Sequence, residues 1–276
     1  MDKDKEQNFT AMFEPLYAPI PDTKKYLERI GLDSVENTDK DTLDRIILSH
    51  QRNVPFENLD IFDAGLDISL SIPELYDKIV LRRRGGYCFE LNTACSALLT
   101  CLGFDCYSIV VRVVWNHSCM MPLSHCAMIV TIGGLRYFCD VGFGGPSPQS
   151  SLLLDVSDTQ VSGPNTFIFD NDANETMLCL VIDGDKTPIL SFTDTPWPPV
   201  DFLALNEYQS KSKNSFFKAT RLCNLVTATG SITLSDNVLK VHSGELTDEK
   251  TLETESDFHA SLLDHFGIVV NFPLKL

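Results

Sequence analysis

The sequence is poor in basic residues, with 22 Lys and Arg against 38 Asp and Glu, which gives a formal net charge of −16. Nucleic acids and anionic membranes bind basic surfaces, so this balance predicts neither as a partner. No stretch approaches the ~18 consecutive apolar residues of a membrane-spanning helix. Residues 1–10 are charged and lack the apolar core of a secretory signal. These deficits predict a cytoplasmic protein whose thiols stay reduced.

The nine cysteines show no pairing pattern. Their number is odd and no two are spaced as C-x-x-C, so neither a disulfide framework nor a zinc site is indicated, and no metal is expected. Most of them are expected to be small buried side chains. A cysteine with a chemical role has to be recognised by its neighbours.

Helical and strand patterns divide the chain into blocks. Asp22 is placed to cap one helix, and Leu43, Ile46 and Ile47 share a face of the next. Strand-like runs follow from about residue 107, then a Pro-rich stretch, further short strands and an amphipathic last helix. The order predicts an α+β protein with a helical bundle at 1–84, a β domain at 85–194, a linker at 195–207 and an α/β block at 208–276.

Cys88 lies directly after a glycine pair, in the stretch RRRGGYCFELN at 82–92. The glycines predict a turn, which puts Cys88 at or near the start of the helix that follows. Unpaired N–H groups and the helix dipole favour negative charge there. Cys88 is therefore the cysteine best placed to react as a thiolate.

His125 and Asp140 are predicted to touch across a tight hairpin. Gly133 and Gly134 form a two-residue turn between two strand-like runs, so Ile132 should pair with Leu135. In that register Asp140 is a diagonal neighbour of His125, within reach of its ring. A carboxylate there would orient the imidazole of a Cys-His-Asp triad. The alternative is a surface histidine beside an aspartate at a strand end.

These residues resemble the arylamine N-acetyltransferase family, and the match spans most of the chain. The segments that carry it, in the order and approximate spacing of the family, are YLERIGL, VPFENLDI, LYDKIVLRRRGGYCFELN, LGFDC, SHCAMIV and RYFCDVGFGG. The resemblance implies an N-terminal helical bundle, a central β-barrel and a C-terminal α/β lid around a cysteine-protease-like core. A buried Arg84–Glu57 pair is expected to hold the bundle against the glycine turn.

The resemblance also implies a ping-pong acyltransferase. Cys88 would be the acyl-thioester nucleophile, with His125 and Asp140 completing the triad. The implied co-substrate is an acyl-CoA, with acetyl-CoA expected, and the implied acceptors are arylamines, arylhydroxylamines or hydrazines. No obligate protein partner is expected. Positions that match the substrate-lining residues of relatives are Ser124, Phe143, Gly145 and Ser147.

A CoA site needs local positive charge in this acidic chain. Residues 208–235 contain no Asp or Glu but carry Lys211, Lys213, Lys218 and Arg221, which nominates them as the phosphate side of the cleft. A solvated loop and strand is the alternative interpretation. Family positions that contact CoA correspond here to Tyr208, Asn214 and Ser215, with Lys213 at a position that is usually Ser or Thr.

Two other functions fit the same residues. A Cys-His-Asp triad also serves hydrolases and amide-forming enzymes, and the fold could instead serve a catalytically silent binding protein. The acyl group is open as well, because propionyl or malonyl transfer would use the same thioester chemistry. A malonyl carboxylate would require a nearby cation that the sequence does not place.

Overall fold

The computed structural model describes residues 11–171 and 175–276. The ten N-terminal residues, on which the predicted lack of a secretory signal rests, lie outside the described residues. Across the two described ranges, no helix combines the length and the apolar character that crossing a bilayer requires.

Short helices form the N-terminal part of the chain, and the predicted Asp22 cap begins one of them. Asp22 Oδ1 accepts a hydrogen bond from Lys25 N at 3.1 Å, and Leu43, Ile46 and Ile47 are fully buried on one helix face, as predicted. The helices are α1 (Thr23–Arg29), α2 (Lys40–Asn53), α3 (Leu59–Phe62), α4 (Ile72–Tyr76) and α5 (Cys88–Cys101), with a π-helical turn at Asp77–Leu81.

An eight-stranded antiparallel sheet forms a nearly closed barrel, confirming the barrel that the family resemblance implied. Its strand order is β5-β4-β3-β2-β9-β8-β7-β6. The side chain of Gln160 links the two outermost strands, because its amide bonds Leu153 N at 2.7 Å and Leu153 O at 2.9 Å. The strands are β2 (Asp105–Val113), β3 (Leu123–Ile132), β4 (Leu135–Cys139), β5 (Leu152–Leu153), β6 (Gln160–Ser162), β7 (Asn165–Asn171), β8 (Thr176–Ile182) and β9 (Asp185–Phe192).

A second antiparallel sheet contains the C-terminal strands and one strand from the N-terminal part. Phe56 in that strand pairs with Asn224, so the N-terminal and C-terminal parts of the chain share one sheet. Its members in order are β1 (Phe56–Glu57), β10 (Leu222–Val226), β11 (Gly230–Ser235), β12 (Val238–Ser243) and β13 (Leu246–Thr251). Three helices accompany it: α6 (Phe202–Lys211), α7 (Phe216–Ala219) and α8 (Glu255–Phe266). The predicted domain boundaries remain a prediction. The helix α6 runs across the one between 207 and 208, and β1, from the first predicted block, pairs with β10 of the last.

A buried network of five charged side chains ties the helices to the turn before α5. The predicted pair is present, with Arg84 Nη2 2.7 Å from Glu57 Oε1, and Arg84 also bonds Asp60 at 2.8 Å. Lys78 Nζ lies 2.8 Å from Asp60 and 2.7 Å from Glu90. Burial raises the pKa of Glu90 to about 7 although Lys78 opposes the shift. The network therefore anchors β1, α3, the π-helical turn and α5 on one another.

Replacing Arg84 with Met should destabilise the protein by about 3–5 kcal/mol, because buried Glu57 would lose its cation and Asp60 would lose one of its two. Arg82→Met is the matched control, since Arg82 pairs with Asp77 in an exposed bridge and should change stability by less than about 1 kcal/mol. Urea unfolding of both variants measures the difference. Equal losses would show that the network is not a structural anchor.

Candidate active site

Two glycines bring Cys88 to the first position of α5. A Cβ on Gly85 would lie 1.9 Å from Pro55 O, and one on Gly86 would lie 2.8 Å from Glu90 Cβ, so this turn has no room for side chains. The helix start is fixed by Glu90, whose Oε2 accepts from Tyr87 N at 3.1 Å. Cys88 is 2% exposed, and its thiol lies 3.7 Å from Ser124 O. The sulfur is thus buried at a helix N-terminus, where a negative charge is favoured.

The predicted hairpin register and the predicted His125–Asp140 contact are both present. Ile132 pairs with Leu135 and Met128 with Cys139 across the Gly133-Gly134 turn. His125 Nε2–H donates to Asp140 Oδ2 at 2.6 Å, and both residues are buried. The alternative of a surface histidine is therefore wrong.

Asp140 has hydrogen-bond donors at both carboxylate oxygens. Oδ1 accepts from Gly142 N at 2.8 Å and from Asn92 Nδ2 at 3.0 Å, while Oδ2 accepts from His125. Asn92 Nδ2 also donates to Cys126 O, and Asn92 Oδ1 accepts from Val141 N. Sequence reasoning missed Asn92, although its position four residues after Cys88 put both on one face of α5. These bonds stabilise the ionised carboxylate inside the protein.

The environment of His125 favours the charged imidazolium. Burial lowers the pKa of His125, but the Asp140 charge and hydrogen bond, with a contribution from a hydrogen bond to Cys88, raise the pKa to about 10. His50 shows the opposite case, because burial and the charge of Arg29 lower the pKa of His50 to about 3. The ring of His125 is therefore held between a carboxylate and the Cys88 sulfur.

An aromatic wall adjoins this group. The ring centroid of Phe143 lies 5.6 Å from that of His125 and 6.3 Å from that of Trp115. Gly145 leaves room for the Phe143–Trp115 pair, because a Cβ there would lie 2.7 Å from Phe143 Cζ and 3.0 Å from Trp115 Cε3. No pattern in the sequence indicated that Trp115 belongs to this wall. The wall offers a face for an aromatic ring.

A cleft of about 230 Å³ opens beside the wall and is lined by all three parts of the structure. The helical part contributes Gln51 and Phe56, the segment after β4 contributes Phe143 and Ser147, and the C-terminal sheet contributes Asn224. Of the predicted substrate-lining residues, Phe143, Gly145 and Ser147 line this cleft, and Ser124 contacts the Cys88 thiol through its carbonyl.

A second cavity of about 610 Å³ lies against residues 93–101 of α5 and the proline-rich stretch at 196–199. Its walls include Trp197, Phe202, Cys101 and Cys106. No histidine is among the residues that line it in the described part of the chain. No histidine is among the residues that line the smaller cleft in the described part of the chain either. Its wall includes Phe143, whose ring lies beside that of His125, so the smaller cleft is the candidate active site.

The predicted CoA-contacting residues lie together on α6 and the turn before α7, with different exposures. Tyr208 is 45% exposed, and Lys213 and Asn214 are exposed. Ser215 is buried and caps α7; its Oγ donates to Gln209 O at 2.6 Å and accepts from Phe217 N at 3.2 Å. The Ser215 hydroxyl is thus already bonded within its own turn.

The basic window at 208–235 provides less free charge than its composition predicted. Arg221 is 2% exposed and forms a two-point ion pair with Asp63, with distances of 2.6 and 3.0 Å. Its guanidinium is therefore not free to bind a phosphate. Lys211 is paired with Asp67 at 2.9 Å and with Glu207 at 3.1 Å. Lys213 has no ion pair with any residue in the described ranges. Composition gives the number of charged residues but does not show which of them are paired in the folded protein.

Comparison with known proteins identifies the group to which this fold and site belong. The N-acetyltransferase family matches residues 39–275. An arylamine N-acetyltransferase from Mycolicibacterium smegmatis is 32% identical over 249 residues, which cover 88% of this chain and 90% of the relative. The protein is thus an N-acetyltransferase by class. More specifically, the chain belongs to the arylamine N-acetyltransferase family.

Solved structures of the same family share the fold. A structure of the Mycobacterium smegmatis enzyme has a TM-score of 0.84 at 31% identity, covering 90% of this chain and 93% of the other. The Mycobacterium marinum arylamine N-acetyltransferase in complex with CoA has a TM-score of 0.83 at 28% identity, with the same coverages. The similarity therefore extends over nearly the whole molecule.

The pKa values of the two buried histidines should be shifted in opposite directions from the ordinary value. His125 should stay doubly protonated at pH 8, and His50 should stay neutral at pH 5, as seen in nitrogen chemical shifts of the two rings by NMR. Because the folded pKa of His125 lies above the ordinary value of about 6.5, its contribution to stability is complete below pH ~6.5. That contribution is lost as the pH rises toward about 10. A neutral His125 at pH 8 would contradict the described geometry.

Gly142→Ala should disrupt the group around Cys88. The added Cβ would lie 2.8 Å from Asn92 Nδ2 and 3.0 Å from Cys88 Cα, both of which are held by their own contacts. Gly144→Ala is the matched control in the same loop, because its Cβ would meet only Phe56 at an ordinary 3.6 Å. We expect a stability loss of about 1–3 kcal/mol for Gly142→Ala alone, measured by urea unfolding. Equal stability of the two variants would contradict this packing.

Proposed function

We propose that the protein transfers an acetyl group from acetyl-CoA to the nitrogen of an arylamine through a thioester on Cys88. In this proposal His125 is the general acid and base, and Asp140 orients and charges the imidazole. The observation that carries the proposal is the buried His125 ring bonded to Asp140 at 2.6 Å, with the Cys88 thiol 3.7 Å from the carbonyl of the preceding residue, Ser124. Both Asp140 and Cys88 raise the pKa of His125. Such a ring can hold the sulfur as a thiolate near neutral pH.

The first half-reaction acylates the enzyme. The Cys88 thiolate attacks the carbonyl carbon of acetyl-CoA and forms a new carbon–sulfur bond. The bond to the CoA sulfur breaks, and the leaving thiolate takes the proton of the His125 imidazolium. One thioester replaces another, so the acetyl group is stored with little change in free energy.

The second half-reaction uses an amine that is uncharged at pH 7. The arylamine nitrogen attacks the Cys88 thioester, a carbon–nitrogen bond forms, and the bond to sulfur breaks. His125, neutral after the first step, removes the proton from nitrogen and is returned to the imidazolium beside the Cys88 thiolate. Phe143 and Trp115 supply the aromatic face on which the amine stacks. Arylhydroxylamines and hydrazines, which also carry a free nitrogen lone pair, belong to the same acceptor class.

The CoA moiety has a proposed place on the C-terminal side of the cleft. Tyr208 and Asn214 are exposed at the end of α6 and in the turn that follows, outside the lining of the cleft. Lys213 is an exposed cation beside them that has no ion pair among the described residues. Ser215 supports this surface by capping α7 rather than by offering a free hydroxyl. No obligate protein partner is part of the proposal, and a cytoplasmic location remains the expectation drawn from the sequence.

Mass spectrometry of the protein after incubation with acetyl-CoA tests the proposal. Without an amine we expect an adduct of about 42 Da on Cys88, the mass of one acetyl group in a covalent intermediate. The adduct should be absent in Cys88→Ser and present in Cys101→Ser, which removes an exposed cysteine of the same helix. Aniline should discharge it as acetanilide. Absence of an adduct would favour a silent binding protein, and discharge to water alone would favour a hydrolase.

The reactivity of Cys88 toward iodoacetamide should persist well below pH 8. Because His125 keeps its proton up to about pH 10, it can pair with a thiolate throughout the neutral range. In His125→Gln the reaction should require the higher pH of an ordinary thiol, near 8.5. Peptide mapping of alkylated protein across pH 5–9 measures this, with the buried Cys95 as an internal reference that should label slowly. Identical profiles for Cys88 in the two proteins would contradict the ion pair.

A further inference from the structure

Gln51, on α2, is joined to the loop that follows β4, residues 140–148. Its Nε2 donates to Asp140 O at 2.9 Å and to Pro148 O at 2.8 Å, and Ser147 Oγ lies 3.3 Å away. One side-chain amide therefore bonds both ends of the loop at once. Gln51 is buried, so these bonds form away from solvent.

Gln51 keeps this position although half of its amide is unsatisfied. Its Oε1 is buried and has no hydrogen-bond partner within the described residues. A buried carbonyl without a partner is unfavourable. The Gln51 side chain therefore contributes to the structure through its Nε2 donors, which bond Asp140 O and Pro148 O.

The two ends of the loop differ in how firmly other groups hold them. The Asp140 end is also fixed by Asn92, Gly142 and His125. In the middle, Gly144 O accepts from Asn224 Nδ2 at 3.1 Å. At the far end, Ser147 N bonds Gly145 O, which lies within the loop itself. Three residues beyond the loop, Ser151 bonds Asp44 of α2 through its N and Oγ, at 2.7 and 2.6 Å. Within residues 140–148, the far end is attached to α2 through Gln51.

We propose that Gln51 is a positioning residue that closes this loop and so sets the aromatic wall for the acceptor amine. This inference rests on the proposed function, since it assigns the wall to the second half-reaction. Phe143 and Ser147 both lie in the loop and line the cleft. Loss of the Gln51 donors would free the wall while the His125–Asp140 bond keeps its other supports. Acyl transfer to the amine should then weaken, and acylation of Cys88 should not.

Single-turnover kinetics on Gln51→Leu separates the two half-reactions. Formation of acetyl-Cys88 from acetyl-CoA should stay within about threefold of wild type. The aniline concentration for half-maximal discharge of the acetyl group should rise by about ten- to a hundredfold, the effect of displacing a positioning contact. The pH profile of Cys88 alkylation should also be unchanged.

Asn53→Leu is the matched control. Asn53 is an amide on the same helix whose Nδ2 donates to Ile30 O and Ser49 O at 2.9 Å, away from the loop. It should lower the thermal midpoint without changing either half-reaction. Should Gln51→Leu fail to fold, Gln51→Met keeps the length of the side chain, has no N–H donor and predicts the same kinetic split.

Unchanged discharge by aniline, or equal losses in both half-reactions, would overturn the role of Gln51. Failure of the proposed function would be recognised separately, because the wild-type protein would then form no acetyl adduct at all.

Discussion

The 2.6 Å hydrogen bond between His125 and Asp140 is the interaction on which the rest of the site depends. A carboxylate buried to 1% exposure is unfavourable unless hydrogen bonds and an opposite charge replace its water. Gly142 and Asn92 supply the hydrogen bonds, and a protonated His125 supplies the charge. The same arrangement leaves the imidazolium facing the sulfur at the start of α5, where the helix dipole acts in the same direction. The same ion pair therefore stabilises the buried carboxylate and keeps the imidazole charged for its reaction with the sulfur.

The Cys88 sulfur meets that pair because α5 packs against the barrel, where Asn92 of α5 bonds Cys126 O of β3 at 2.7 Å. Gly85 allows the chain to pass Pro55, and the network of Glu57, Asp60, Lys78, Arg84 and Glu90 fixes the turn that follows. Each cation in the network has two carboxylate partners, which offsets the desolvation of the charges. The helical part, the barrel and the C-terminal sheet then meet at one cleft. A site assembled in this way can be disturbed from positions far from the sulfur.

The acidic composition gave a misleading expectation about one local region. Residues 208–235 are rich in cations, but in the structure Arg221 is paired with Asp63, and Lys211 with Asp67 and Glu207. A cation in an acidic protein has many carboxylates within reach, so its presence in a sequence does not make it free for a ligand. Pairing is a property of three-dimensional neighbours, which composition does not encode.

Features that depend on short-range geometry could be predicted from the sequence. The Gly-Gly turn fixed the β3–β4 register and hence the His125–Asp140 contact, the glycine pair before Cys88 placed the sulfur at a helix start, and helix periodicity located the buried face of α2. Tertiary structure alone decided the contacts of Gln51, Trp115 and Arg221. Gln51 lies 89 residues from Asp140, and no turn or periodicity rule relates positions so far apart. Such contacts arise when whole elements pack, because packing is set by the sum of many side chains rather than by any local pattern.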